Sequence, residues 1–288
     1  MESDSVNALK EVPVSESGLS SRNFRRLAEF IYNYSGIKMP DAKKVMLEGR
    51  LRRRLRVTGF VDFDSYCDYL FEGDGLEAEA LHLIDVVTTN KTDFFREPSH
   101  FDFLQANALP ELMKRGLRRL RVWSAACSIG AEPYTLAMVI DDFLRDQKGQ
   151  DYRILATDLS TEVLQKAQRG IYPADAVEPV PASLAARYVL VARDRNRGEV
   201  RIAPHLRSHV AFARLNLMDD SYSVGEPMDV IFCRNVLIYF DKKTQYAVLS
   251  RLCDCLDKGG YLFIGHSESI AGMNLPLKQV ANTIFIKG

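Results

Sequence analysis

Leu120-Arg-Val-Trp-Ser-Ala-Ala-Cys-Ser-Ile-Gly-Ala-Glu-Pro-Tyr-Thr-Leu-Ala137 decides how the rest of the chain is read. The apolar run Leu120 to Ala126 has the length and make-up of a buried parallel strand. Cys127, Ser128, Ile129 and Gly130 are small or flexible enough for a tight turn. Glu132 and Pro133 stand where a first helical turn favours an acid and a proline, and Tyr134, Ala137, Met138 and Ile140 continue a buried helix. Strand, small-residue turn and helix form the front of a nucleotide-binding crossover, in which helix N-terminal N–H groups hold polar ligand groups. The full Gly-x-Gly-x-x-Gly fingerprint is absent, so an ordinary βα turn without a ligand stays open at this point.

The pattern repeats downstream. Tyr152 to Asp158 reads as a second strand ending in an acid, at the separation expected of a carboxylate that holds ribose hydroxyls. Asp158 has the alternative of capping the helix that starts at Thr161. Residues 171–208 break the alternation with Pro173, Pro181 and Pro204, and the runs 188–191 and 199–202 flank the turn-like 194–198. They read as an inserted β-hairpin subdomain. Strands are expected at 209–214, 228–233 and 261–265, with a helix over 243–256. The runs 278–280 and 283–287 then read as a terminal antiparallel pair. That ending is unlike a nicotinamide dehydrogenase and marks the sheet of adenosylmethionine-dependent methyltransferases. The fold class expected is therefore α/β, with a Rossmann-like methyltransferase domain over 89–288.

Upstream, residues 1–20 hold five serines and several acids without apolar periodicity and read as a disordered tail. Residues 21–88 read as an all-helical domain. In its second helix Leu47, Leu51 and Leu55 form a narrow apolar stripe. Lys43, Lys44, Arg50, Arg52, Arg53, Arg54 and Arg56 surround it, with Arg50, Arg53 and Arg54 flanking one side. Such a helix is either a solvated charged face or a docking face for an anionic partner, and its density in a chain of zero net charge favours the second. No aromatics interleave with the arginines, which disfavours single-stranded nucleic acid.

Balanced charge gives no bulk field toward nucleic acid or membrane, and no apolar run approaches 18 residues. The five cysteines (67, 127, 233, 253, 255) are odd in number and form no Cys-x-x-Cys, which favours reduced thiols in a cytoplasm over disulfides or a metal site. A soluble, cytoplasmic, monomeric protein without metal is expected.

Four stretches together resemble one family, the bacterial chemotaxis receptor glutamate O-methyltransferases. They are Thr88-Thr-Asn-Lys-Thr-Asp-Phe-Phe-Arg-Glu97, Val122-Trp-Ser-Ala-Ala-Cys-Ser-Ile-Gly-Ala-Glu-Pro-Tyr134, Ala156-Thr-Asp158 and Phe232-Cys-Arg-Asn-Val-Leu-Ile-Tyr-Phe240, with Gly265-His-Ser-Glu-Ser269 beyond them. The resemblance runs from about residue 21 to the C-terminus. It implies S-adenosyl-L-methionine as methyl donor, S-adenosyl-L-homocysteine as product, and glutamate carboxylates in the cytoplasmic helical domain of methyl-accepting chemotaxis receptors as acceptors. By the same resemblance Asn90, Thr92 and Arg96 face the methionyl part of the cofactor, Glu132 follows the first turn and Asp158 meets the ribose. Asn216 and Leu217 flank the adenine, Arg234 and Asn235 lie beneath the sulfonium end, and Arg96 and Tyr239 stand beside the reacting methyl. Cys127-Ser-Ile-Gly-Ala131 departs from the family in having few polar residues before the glutamate. The basic helix, with Arg50, Arg53 and Arg54, then becomes a face for the acidic receptor, and the inserted hairpin a place for a receptor C-terminal peptide to add a strand.

Three other classes compete. A nucleic-acid methyltransferase is expected to carry Asp-Pro-Pro-Tyr or Asn-Pro-Pro-Tyr where Arg234 to Tyr239 stands. A dehydrogenase lacks its glycine fingerprint here. A non-catalytic cofactor sensor is disfavoured by intact Arg96, Asp158 and Tyr239. His266, Ser267 and Glu268 are adjacent and cannot face one another as a hydrolytic triad does.

Overall fold

The computed structural model describes residues 17–88, 90–147 and 149–288, which form two compact units dividing between Thr88 and Thr89. Within the tail expected over 1–20, residues 1–16 lie outside the described residues. The rest is not a tail: Leu19 is buried, its N–H donates to Glu48 at 3.2 Å, and the Ser20 hydroxyl accepts from Asn23 N and starts the first helix.

The first unit holds α1 (Ser21–Ser35), α2 (Lys44–Thr58), α3 (Phe63–Phe71) and α4 (Gly75–Val87). Leu47, Leu51 and Leu55 of α2 are all fully buried, as their i, i+4 spacing predicts. The arginines around that stripe divide. Arg54 makes two hydrogen bonds to Glu79 of α4, at 2.7 and 2.6 Å, and Tyr66 adds a third at 3.0 Å. Arg50 donates through one nitrogen to the carbonyls of Val86, Val87 and Thr88, the open C-terminal end of α4. Arg53 and Arg56 are exposed. Of the three arginines assigned to a receptor face, two are therefore engaged in holding α2 to α4.

The second unit contains α5 (Ser99–Phe103), α6 (Leu109–Lys114), β1 (Arg119–Ala125), α7 (Ala131–Leu144), β2 (Asp151–Asp158), α8 (Thr161–Arg169), β3 (Ile171–Pro173), α9 (Ala182–Tyr188), β4 (Val189–Val191), β5 (Glu199–Ile202), α10 (Pro204–Ser208), β6 (Val210–Arg214), β7 (Met228–Cys233), α11 (Lys242–Cys255), β8 (Leu256–Ile264), β9 (Leu277–Ala281) and β10 (Ile284–Lys287). Seven strands form one sheet in the order β6-β2-β1-β7-β8-β10-β9, parallel from β6 to β8 and antiparallel at β10 and β9. Leu120 and Val122, Val230 and Phe232, and Tyr261 and Phe263 enter the core on one face. Trp123 and Ala125, Ile231 and Cys233, and Leu262 and Ile264 enter the core on the other. Burial on both faces is why these strands read as unbroken apolar runs rather than as alternation. The strand order reverses between β1 and β7, which pair in parallel from Val122↔Val230 to Ala125↔Cys233. A crevice at the carboxyl ends of the strands is where such a reversal places ligands.

The inserted segment is a three-stranded sheet, β3-β5-β4, not a two-stranded hairpin. Ile171–Pro173 pairs antiparallel with β5. Three residues ending in proline give too little pattern to be read as a strand.

The Arg54–Glu79 pair yields a stability test. Burial opposes ionisation of Glu79, but the hydrogen bonds from Arg54 and Tyr66 and the charge of Arg54 outweigh it and hold the carboxyl below its usual range. A depressed carboxyl stabilises the fold above its unfolded pKa of about 4.3 and loses that contribution as pH falls toward the depressed value. Glu79→Ala leaves the Arg54 charge without its buried partner and is expected to cost roughly 3 kcal/mol, read as a lower urea midpoint for the helical unit. The variant should also lose the part of the acid dependence that Glu79 provides.

Candidate functional site

The turn after β1 is built from left-handed backbone. Ala126 (φ 65°), Ser128 (φ 51°) and Gly130 (φ 91°) alternate with ordinary residues. Side chains at the first two pay a steric penalty, so the conformation must be held from outside. Cys127 N donates to Thr157 O at 2.8 Å, Ser128 N to Asp158 Oδ2 at 2.8 Å, and the Ser128 hydroxyl to Asn90 O at 2.9 Å. Asp158 is buried and its second oxygen accepts from Ser160 N at 3.0 Å. The cap of α8 is the Ser160 side chain, which accepts from Val163 N, so Asp158 is not the cap. Leu215 N reaches Asp158 O at 3.1 Å, which brings the segment holding Asn216 and Leu217 to the end of β2. Asn216 is half-buried and folds its side-chain oxygen onto Met218 N, while Leu217 is buried.

Gly130 admits no side chain. A Cβ there would stand 2.9 Å from Ala167 Cβ and 3.0 Å from the Tyr172 hydroxyl, at a φ that L-residues rarely adopt.

The second feature is a buried charge network. Arg234 follows β7 and its side chain is 1% exposed. It donates to Glu97 Oε2 at 3.0 Å, to Glu132 Oε2 at 3.3 Å and to the Arg96 carbonyl. Its guanidinium lies over the rings of Phe101 and Phe232, at 5.4 and 5.7 Å. Glu132 also accepts from the Ser124 hydroxyl at 2.7 Å. Burial pushes the Glu132 carboxyl up, against the opposing pull of Arg234 and Ser124. Glu97 receives Asn235 Nδ2 at 3.0 Å and His266 N at 3.2 Å. Burial raises its pKa, but the Asn235 hydrogen bond, the Arg234 charge and the His266 N–H together hold it below the usual range.

The segment 90–97 wraps this network. Phe95 and Glu97 are left-handed, Phe95 N donates to the Thr135 hydroxyl at 3.2 Å, and Phe94 packs edge-on against Tyr172. Thr92 and Arg96 are half-buried, and Arg96 Nη1 donates to Lys91 O at 3.1 Å. Tyr239 ends a short 3-10 turn after β7 and is half-buried.

These contacts form two groups at the carboxyl ends of β1, β2 and β7: Asn90 and Asp158 meet through Ser128, and Glu132, Asn235 and the Arg96 carbonyl meet through Arg234 and Glu97. Arg234, assigned beneath the sulfonium, is an interior tie whose two terminal nitrogens serve two acids and a carbonyl. Glu97 and Glu268 were not singled out in the sequence. Both stand inside the quoted motifs, but Glu97 meets Arg234 across 137 residues of sequence and Glu268 meets Asn235 across 33.

Glu97, His100 and His266 offer ligand atoms within 4.8 Å of one another. Burial and the Arg234 charge push His100 down to about 4, so it is neutral at physiological pH. The same arginine opposes a cation at this place, and Glu97 is already taken by three donors.

The CheR methyltransferase all-alpha domain matches residues 22–88, and the CheR methyltransferase SAM binding domain matches residues 90–286. The chemotaxis protein methyltransferase of Borreliella burgdorferi is 40% identical over 252 residues, covering 86% of this chain and 88% of its own. That of Escherichia coli is 39% identical over 267 residues, with 93% and 91% covered. That of Salmonella typhimurium is 40% identical over 267 residues, with 93% and 90% covered.

If Arg234 is a tie, Arg234→Met should act first on stability. It leaves Glu97 and Glu132 buried without their cation, at a cost of roughly 3–5 kcal/mol, and differential scanning calorimetry should record a lower Tm. An unchanged Tm would return Arg234 to direct ligand contact.

Proposed function

The chain belongs to the CheR methyltransferase family, and on that premise we propose that it transfers the methyl group of S-adenosyl-L-methionine to glutamate side chains of chemotaxis receptors, giving glutamate 5-O-methyl esters. One observation carries the reading: two acids, the half-buried Glu132 and the buried Asp158, flank a left-handed turn beside the strand reversal. The cofactor fits the chemistry of this donor set. Glu132 and Asp158 place two carboxyl groups about the turn, and the methionyl end brings an ammonium and the ribose brings hydroxyls that such groups accept.

When bound, the cofactor supplies an electrophilic methyl on sulfur. In this reading Asn90, Thr92 and Arg96 hold its methionyl end, with Glu132 facing the amino group. Asp158 takes the ribose hydroxyls with its carboxylate oxygens. Asn216 and Leu217 bracket the adenine. Arg234 and Asn235 act through Glu97 and Glu132. The acceptor glutamate is ionised at neutral pH, with an ordinary pKa of about 4.3, so the chain needs no general base. Its contribution is alignment, which can lower a barrier by as much as roughly 7–11 kcal/mol. Arg96 steers the carboxylates and Tyr239 packs beside the methyl and hydrogen-bonds the acceptor.

The exposed Arg53 and Arg56 on α2 suit a glutamate-rich receptor helix, with steering that fades with salt. Arg50 and Arg54 support that face from behind. In the inserted sheet β3 and β4 are the edges, and β4 exposes Leu190 and Val191. This edge suits an extended receptor peptide adding a strand. No helix of the described residues is long and apolar enough to cross a membrane.

Labelled methyl transfer from S-adenosyl-L-methionine to receptor-bearing membranes tests the activity. A carboxyl ester releases its label as methanol in alkali, whereas an N-methyl product retains it. Arg96→Ala and Tyr239→Phe should each lower turnover by about tenfold or more. Full activity in both removes these two assignments. Arg53→Glu should raise the Michaelis constant for receptor at low salt and leave calorimetric affinity for S-adenosyl-L-homocysteine unchanged.

A further inference from the structure

Glu268 takes no part in the reaction as derived above, yet it is buried at 7% exposure. Its carboxylate accepts three backbone N–H groups. Gly265 N and Asn235 N reach Oε2 at 2.6 and 3.1 Å, and Ile238 N reaches Oε1 at 3.3 Å. Gly265 follows the last residue of β8. Asn235 and Ile238 belong to the stretch between β7 and Tyr239. Asn235 is left-handed, at φ 58°, and its N–H, with those of Ile238 and Gly265, converges on one anion-binding place. Here the anion is supplied by the chain itself, across 33 and 30 residues of sequence. The fit leaves no slack: a Cβ on Gly265 would stand 2.6 Å from Asn235 Nδ2, 2.9 Å from Asn235 N and 3.0 Å from Glu268 Oε2.

We propose that Glu268 is a positioning residue for methyl transfer: its carboxylate clamps the Asn235–Ile238 backbone to the end of β8 and so sets where the Tyr239 side chain stands. The proposal rests on the role given to Tyr239 above. The geometry calls for an acceptor on both oxygens, because N–H groups arrive at each. A glutamine fills the same volume but turns one acceptor into a donor. Either Ile238 N–H or the Asn235 and Gly265 N–H groups then face another N–H, and the clamp opens on that side.

The test is Glu268→Gln in the full chain. Turnover should fall by about tenfold or more, as misplacement of an aligning group does. The Michaelis constant for S-adenosyl-L-methionine and the calorimetric Kd for S-adenosyl-L-homocysteine should stay within about twofold. Amide hydrogen exchange should speed up across 235–240 and remain unchanged across 126–134, a pattern that general destabilisation does not give. In a Tyr239→Phe background the second substitution should add less than about a twofold further loss, because both act on one hydroxyl. Wild-type turnover in Glu268→Gln overturns the proposal, as does a fully multiplicative loss in the double variant; either leaves Tyr239 standing. Full turnover in Tyr239→Phe alone overturns the Tyr239 assignment and takes this route with it. Should Glu268→Gln fail to fold, Glu268→Asp keeps the charge and withdraws it by one methylene. Faster exchange at 235–240 with reduced turnover supports the clamp in that variant, and wild-type values in both readouts refute it.

Discussion

A single guanidinium, that of Arg234, holds the catalytic end of this fold in one arrangement. It is interior, and a charge without water must be matched or the structure loses several kcal/mol. Three segments meet at it: Glu97 and the Arg96 carbonyl before α5, Glu132 in the first turn of α7, and Arg234 itself just after β7. The stacked rings of Phe101 and Phe232 close the space around it. Moving any one of these segments leaves a buried charge uncompensated, so the three move together or not at all.

Strained backbone gathers in the same region. Among the described residues six non-glycine positions have positive φ, and five of them, Phe95, Glu97, Ala126, Ser128 and Asn235, lie in the segments that build the site. Each is disfavoured locally by about 1 kcal/mol or more and persists because its surroundings over-determine it. Asp158 holds the turn through Ser128, Glu97 holds Asn235, and Glu268 accepts the N–H groups that Asn235 turns inward. A site made rigid in this way meets its ligand already organised, and little reorganisation is left for the moment of reaction.

The basic helix shows how charge on a surface divides between architecture and recognition. Seven cationic residues cluster along 43–56, but Arg54 is spent on Glu79 and Arg50 on the carbonyls ending α4, while Arg52 pairs with Glu48 one turn back. For Arg50 and Arg54 sequence spacing cannot show these roles, because their partners lie on α4 and at its end. What is left outward, Arg53 and Arg56, is a smaller field than the count suggests, and one that salt screens readily.

The amino-acid sequence by itself determined the elements whose signal is local. The runs 120–125, 152–158 and 228–233 are apolar because both sheet faces are covered, and the acids at 132 and 158 were legible from their places in a first helical turn and at a strand end. It also contained the terminal antiparallel pair and the Leu47, Leu51, Leu55 stripe. Only the tertiary structure decided what depends on distant partners. Ile171–Pro173 is a strand because β5 lies beside it, and Leu19 is ordered because Glu48 and the helical core receive it. Arg234, expected beneath the sulfonium end, ties two acids and a carbonyl inside the fold, and Glu97 and Glu268 became visible as holders of the site through bonds to Arg234 and Asn235, 137 and 33 residues away. Periodicity and propensity are read over a turn or two of chain, whereas a buried charge finds its partner wherever folding brings one, and that is fixed only when the whole sheet is in place.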